Sequence, residues 1–125
     1  MKITRERIQL FLDEVKPLIK EGKYIVDNRD KNEDLLFEYI LPDEERTRIL
    51  LSLEVDDFSE IVRYKNKNGE YVPHYVFGKE ETLTQRFGSR DVRVSLYIKI
   101  NKIDNVFVVV VSFHEEEYPI TYYFR

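Results

Sequence analysis

The residues whose types and spacing could support a reaction fall late in the chain. From Val92 to Asn101, Val92, Val94, Leu96, Ile98 and Ile100 alternate strictly with Arg93, Ser95, Tyr97, Lys99 and Asn101. This is the period of a strand with one buried and one solvated face. Lys102 to Asn105 supplies a turn, and Val106 to Phe113 returns as a near-continuous apolar strand. Pairing Lys102 with Asn105 sets Lys99 opposite Val108, Tyr97 opposite Val110, Ser95 opposite Ser112 and Arg93 opposite His114. That register gathers Arg93, Ser95, Tyr97, Lys99, Ser112 and His114 on one face and leaves Phe107, Val109, Val111 and Phe113 on the apolar face.

Such a face carries the groups that metal-independent RNA cleavage requires. An imidazole, here His114, can take the proton of a ribose 2′-hydroxyl or protonate the leaving 5′-oxygen, while Arg93 and Lys99 stabilise charge growing on the phosphate. Tyr97 can donate a hydrogen bond or stack on a base. His74, on an extended run from Tyr71 to Phe77, offers a second acid–base group. The same residues also describe an ordinary solvated strand face and a half-buried histidine bonded to a carbonyl, so spacing leaves both readings open. His114-Glu115-Glu116-Glu117 has metal-ligand types, but consecutive strand residues point to opposite faces and no second ligand cluster exists, so no metal is expected. Gly22, Gly69, Gly78 and Gly88 are isolated, which gives no phosphate-cradling loop and no cofactor motif. Without cysteine there is no thiol nucleophile and no thiolate site.

The elements that position these residues are helices first and strands second. Ile8, Phe11, Leu12, Val15 and Ile19 form one helical face that stops at Gly22, with Pro17 either kinking the helix or opening its last turn. Lys23 to Val26 reads as extended, Asp27 to Asn32 as a turn, and Glu33 to Ile40 as a helix. A further helix is opened by Pro42 with Asp43, Glu44 and Glu45, and a short one by Asp56 or Asp57. After Tyr64 the texture becomes strand-like, with Pro73 at an edge, Lys79 to Asp91 a long polar stretch that is either a mobile loop or holds one helical turn, and Ile120 to Phe124 a last strand. The expected fold class is α+β, a single domain over 1–125 with a helical N-terminal half packed on a small antiparallel sheet.

Composition sets the outer limits. A chain of 125 residues, 42% apolar and 35% charged, is long enough to bury its own core without a disulfide. The net charge of −4 argues against a surface that clings everywhere to nucleic acid or lipid. The charge is unevenly spread, however, at −6 over residues 1–60, +4 over 61–113 and −2 over 114–125. The longest apolar run, Val106 to Val111, is too short to span a membrane, and the charged start does not read as a targeting signal, so a cytoplasmic, membrane-free protein is expected.

Several weak matches in a consistent order carry a family resemblance. Ile49-Leu50-Leu51-Ser52-Leu53 with Asp57-Phe58, then Tyr75-Val76-Phe77, Tyr97-Ile98-Lys99-Ile100 and Val111-Ser112-Phe113, together with Val15-Lys16 to Gly22, resemble the MqsR-type (motility quorum-sensing regulator) toxins of bacterial toxin–antitoxin systems. The resemblance covers roughly residues 8 to 114 and implies a RelE-like fold and metal-independent cleavage of messenger RNA, free or on the ribosome. It also implies restraint by a cognate antitoxin encoded nearby. The family tyrosine falls on Tyr97, a family lysine on His114, and a family glutamine near His74. A second family lysine falls on Glu60, so that Arg63 or Lys65 would have to replace it in holding phosphate. Residues beyond Glu115 extend past the usual end of the family.

Two functions from different classes follow. One is a toxin-like endoribonuclease with His114, His74 and Tyr97 as catalytic groups and Arg93, Lys99, Arg63 and Lys65 on RNA phosphates. The other is a non-catalytic immunity or antitoxin-like protein that binds a basic partner through its acidic helical half.

Overall fold

The computed structural model describes residues 2–125 and has the expected α+β organisation. Its elements are α1 (Arg5–Lys20), β1 (Tyr24–Val26), α2 (Asp30–Glu38), β2 (Tyr39–Ile40), α3 (Asp43–Leu51), a 3-10 turn (Val55–Asp57), and the strands β3 (Phe58–Lys65), β4 (Tyr71–Gln85), β5 (Asp91–Ile103) and β6 (Phe107–Glu115). The sheet runs β1-β6-β5-β4-β2, with β3 also on β4, and only the β1–β6 pair is parallel. Among the described residues no helix is long and apolar enough to cross a membrane.

Helix α1 forms where its apolar spacing predicts, with the Thr4 hydroxyl capping the Arg7 amide at 3.2 Å. It buries Ile8, Phe11, Leu12, Val15 and Ile19, and Gly22 follows at φ +77°. These side chains share one core with Leu35 of α2, Ile49 and Leu50 of α3, and alternate residues of the sheet, Phe77, Leu96, Ile98, Ile100 and Phe113 among them. All three helices thus contribute to the same face of the sheet. Among the described residues the opposite face carries no helix core.

Three strand expectations are corrected. Phe58–Lys65 is already strand, so the sheet begins before Tyr64. Lys79–Gln85 continues β4 instead of forming a loop, because its charges are satisfied: Lys79 pairs with Asp57 at 3.1 Å, Arg48 donates to Glu81 at 2.6 Å, and Leu83 is buried. Residues 120–124 form no strand; they lie against β3, where the Tyr123 amide donates to the Phe58 carbonyl at 3.0 Å. Pro73 does occupy a local edge, since β4 pairs with β5 only from Tyr75 onward.

The β5–β6 register also differs from the expected one. The chain reverses at 104–106, where Asp104 adopts φ 47°, a left-handed conformation that aspartate tolerates, so Lys102 and Ile103 remain strand and Ile103 faces Phe107. Farther along, Ile100 faces Val110 but Lys99 faces Ser112, leaving Val111 as an extra residue. This bulge reverses the parity of β6. Val108 and Val110 enter the helix-side core before it and Phe113 after it, while Ser112 and His114 come to the other face.

Asn32 holds this irregular strand from outside. Its amide donates to the Val111 carbonyl at 3.1 Å and to the Asp27 carbonyl at 2.9 Å, and its oxygen accepts the Phe113 amide at 2.8 Å. A side-chain amide here takes the place of a neighbouring strand where β1 has ended. Asn32→Ala leaves these buried groups unpaired and is expected to cost about 1–3 kcal/mol, read as a lowered urea midpoint. A loss near zero would show that water replaces the amide without penalty.

Candidate functional site

The helix-free face of the sheet is organised in rows across the strands. Glu60, Val76, Lys99 and Ser112 form one row, and Gly78, Tyr97 and His114 form the next. Strands lie about 4.8 Å apart, so the backbones of Glu60 and Lys99 are separated by roughly 10 Å with the small side chain of Val76 as floor. Two rims turn this surface into a cleft of about 590 Å³: Arg29, Asp30 and Lys31 at the start of α2, and the segment from Glu117 to Thr121. The rims meet in an ion pair between Lys31 and Glu117, which holds the Glu117 carboxyl below its usual range.

Tyr97 and His114 are stacked, with centroids 5.3 Å apart and planes 17° from parallel. His114 Nδ1 lies 2.8 Å from the Glu115 carbonyl; the neutral ring therefore donates from Nδ1, and Nε2 is the nitrogen available for proton exchange. Burial, then Glu60, then Tyr64 raise the Tyr97 pKa, so Tyr97 remains a neutral phenol and a hydrogen-bond donor.

Lys99 is the residue whose situation is least expected. It is only 6% exposed, and its ammonium donates to the Tyr64 hydroxyl at 2.6 Å. Among the described residues no carboxylate lies within 4.0 Å of it. A buried cation without an anion is costly. A phenol supplies one acceptor and no charge, so the arrangement favours an anion entering the cleft.

The other expected site residues separate. His74 is on the same face but lies past the last β4–β5 pair, under Tyr64, with ring centroids 4.4 Å apart and Nδ1 buried without a partner. It does not join His114, because its ring is packed under Tyr64 and does not line the cleft. Arg93 shares the face but lies four residues from Tyr97 along β5, exposed and bonded to Glu80 at 3.2 Å. Arg63 and Lys65 have the parity of Ile61, on the opposite face. In their place come Arg29 and Lys31, which the sequence reading did not assign to the site, and Glu60, which the resemblance places at a family lysine position only as a departure. Arg29 and Lys31 lie within the stretch read as a turn, and only the folding of α2 against β6 brings them to the cleft. Among the described residues no three histidine or carboxylate side chains converge to hold a metal ion.

Burial, then Lys99, then Arg29 lower the His74 pKa, so the folded chain holds this ring neutral. As pH drops below about 6.5 the unfolded chain takes up a proton here that the folded chain refuses, and stability falls until the depressed folded value is passed. The stability difference between wild type and His74→Phe is therefore expected to change through this acid window in urea titrations. Parallel pH curves for the two proteins would refute a neutral buried His74.

No known protein family, characterised protein or solved structure matches the chain.

Proposed function

We propose that this cleft cleaves single-stranded RNA without a metal ion, as a toxin-like endoribonuclease. The observation that carries the reading is the buried, uncompensated Lys99 beside the stacked Tyr97–His114 pair. A phosphodiester supplies the missing anion, while the rim cations Arg29 and Lys31 are themselves paired, with Asp27 at 3.4 Å and with Glu117. Glu60 takes the proton of the 2′-hydroxyl as its oxygen attacks phosphorus; the bond to the 5′-oxygen breaks, and the imidazolium form of His114 gives that oxygen its Nε2 proton and returns to the neutral ring. Tyr97 donates to a non-bridging oxygen. The products are a 2′,3′-cyclic phosphate and a 5′-hydroxyl. Glu60 thus replaces His74 as the second acid–base group.

The MqsR-type resemblance extends this reading to messenger RNA as substrate, to a cognate antitoxin as inhibitory partner and to the cytoplasm as compartment. The non-catalytic alternative needs free acidic groups on the helical half, and several are engaged within the chain: Asp43 with Arg46, Glu45 with Arg48, and Asp56 with Arg5. Incubating the protein with labelled RNA in excess chelator tests the proposal. Fragments ending in cyclic phosphate support it; intact RNA together with a tight complex with a basic protein favours the alternative.

A further inference from the structure

Residues 116–125 form neither helix nor strand, yet they are fixed on both sides of Tyr118 and Pro119. The Glu116 amide donates to the Ser95 carbonyl at 2.9 Å, Ser59 Oγ to the Thr121 carbonyl at 2.6 Å, and the Tyr123 amide to the Phe58 carbonyl at 3.0 Å. Arg125 reaches Asp57 at 3.3 Å. Gly78 is what lets the segment lie so close to the sheet. A Cβ there would stand 2.5 Å from the Tyr122 hydroxyl and 2.9 Å from Ile120 Cδ1.

The aromatic residues of the segment divide sharply. Phe124 packs on the helix-side core, Tyr123 sets its ring edge-on to Phe58 at 5.8 Å, and Tyr122 covers Gly78. Tyr118 does none of this. It is 80% exposed, on the rim of the cleft beside the Lys31–Glu117 pair. Among the described residues the backbone amide of Tyr118 and the carbonyls of Tyr118 and Pro119 have no hydrogen-bond partner. A large ring held in water between two anchored stretches, beside the Lys31–Glu117 pair and on the rim of the cleft that holds Lys99 and His114, has the construction of a base-stacking platform.

We infer that Glu117–Thr121 is a nucleobase subsite, in which Tyr118 stacks on a base flanking the scissile phosphate and the open backbone groups meet that base's edge. The subsite rests on the reading of the cleft as an RNA site, and it names the substrate more closely: an unpaired nucleotide whose base can splay away from its neighbours.

The test is binding of a fluorescent single-stranded 2′-fluoro RNA, which lacks the nucleophile and is not cut, by wild type, Tyr118→Ala and Tyr118→Phe. Tyr118→Ala is expected to weaken binding about tenfold or more, and Tyr118→Phe by less than about twofold, since the ring is kept. Against an abasic sugar–phosphate oligomer of equal length, wild type and Tyr118→Ala should bind alike. If wild type binds and cuts RNA but Tyr118→Ala binds as well as wild type, the subsite is overturned and the nuclease reading stands. If wild type neither binds the oligonucleotide nor cuts RNA, both are overturned.

Discussion

Lys99→Met is expected to leave the fold as stable as wild type or more so, and to weaken RNA binding at least about tenfold. The two halves of this result have one cause. Lys99 is buried with a phenol oxygen as its hydrogen-bond partner, so the folded protein carries the desolvation of an ammonium without an opposite charge. Methionine has similar length, no charge and a flexible thioether that fills the same space. Exchange of buried ion pairs for apolar residues of similar volume is often neutral or stabilising by about 1–4 kcal/mol, and the Tyr64 hydroxyl left behind belongs to a 40% exposed residue that water can reach. Urea unfolding reads the first half. Binding of single-stranded RNA across a salt series reads the second, where losing one phosphate contact should flatten the slope of log affinity against log salt by about 0.7. A less stable variant with an unchanged salt slope would show that Lys99 is a structural residue.

His114→Ala is expected to lower the single-turnover rate of RNA cleavage by at least about 100-fold, the lower bound for a general acid or base. The residue is 8% exposed at the end of β6, with one nitrogen engaged by the Glu115 carbonyl and the ring stacked on Tyr97. Truncation also removes that stacking, worth about 0.5–1.5 kcal/mol, so a melt of the variant must accompany the kinetics. RNA affinity should change little, because Lys99 remains. A rate within about tenfold of wild type in a folded variant would remove His114 from the reaction.

What the sequence made legible depended on whether a residue type told the face on which it lay. Val92 to Asn101 alternates so regularly that Tyr97 and Lys99 could be placed on one face in advance, and the structure agrees. Lys79 to Gln85 carries its charges on both faces, and only the tertiary partners Asp57 and Arg48 make that tolerable, so a strand was read as a loop. His74 was placed correctly on an extended segment, yet its distance from His114 depends on strand order, which local pattern does not contain. Glu60 has an ordinary polar setting in sequence. The Asp57-Phe58 resemblance marks its position, but its place in the row with Lys99 follows from β3 pairing with β4.

The bulge at Val111 makes the proposed chemistry a matter of counting. From Val106 to Val111 every residue is apolar, so composition is indifferent to which one is supernumerary. Pair the strand at full length without the bulge, and positions beyond Val110 exchange sides: Phe113 would look into the cleft, and Ser112 and His114 into the helix core. Remove one valine, and Ser112 follows Val110 directly, so a regular strand keeps Ser112 and His114 in the cleft with no bulge at all. A one-valine deletion is thus compatible with the site, whereas a one-valine insertion asks the strand for a second supernumerary residue or turns His114 into the core.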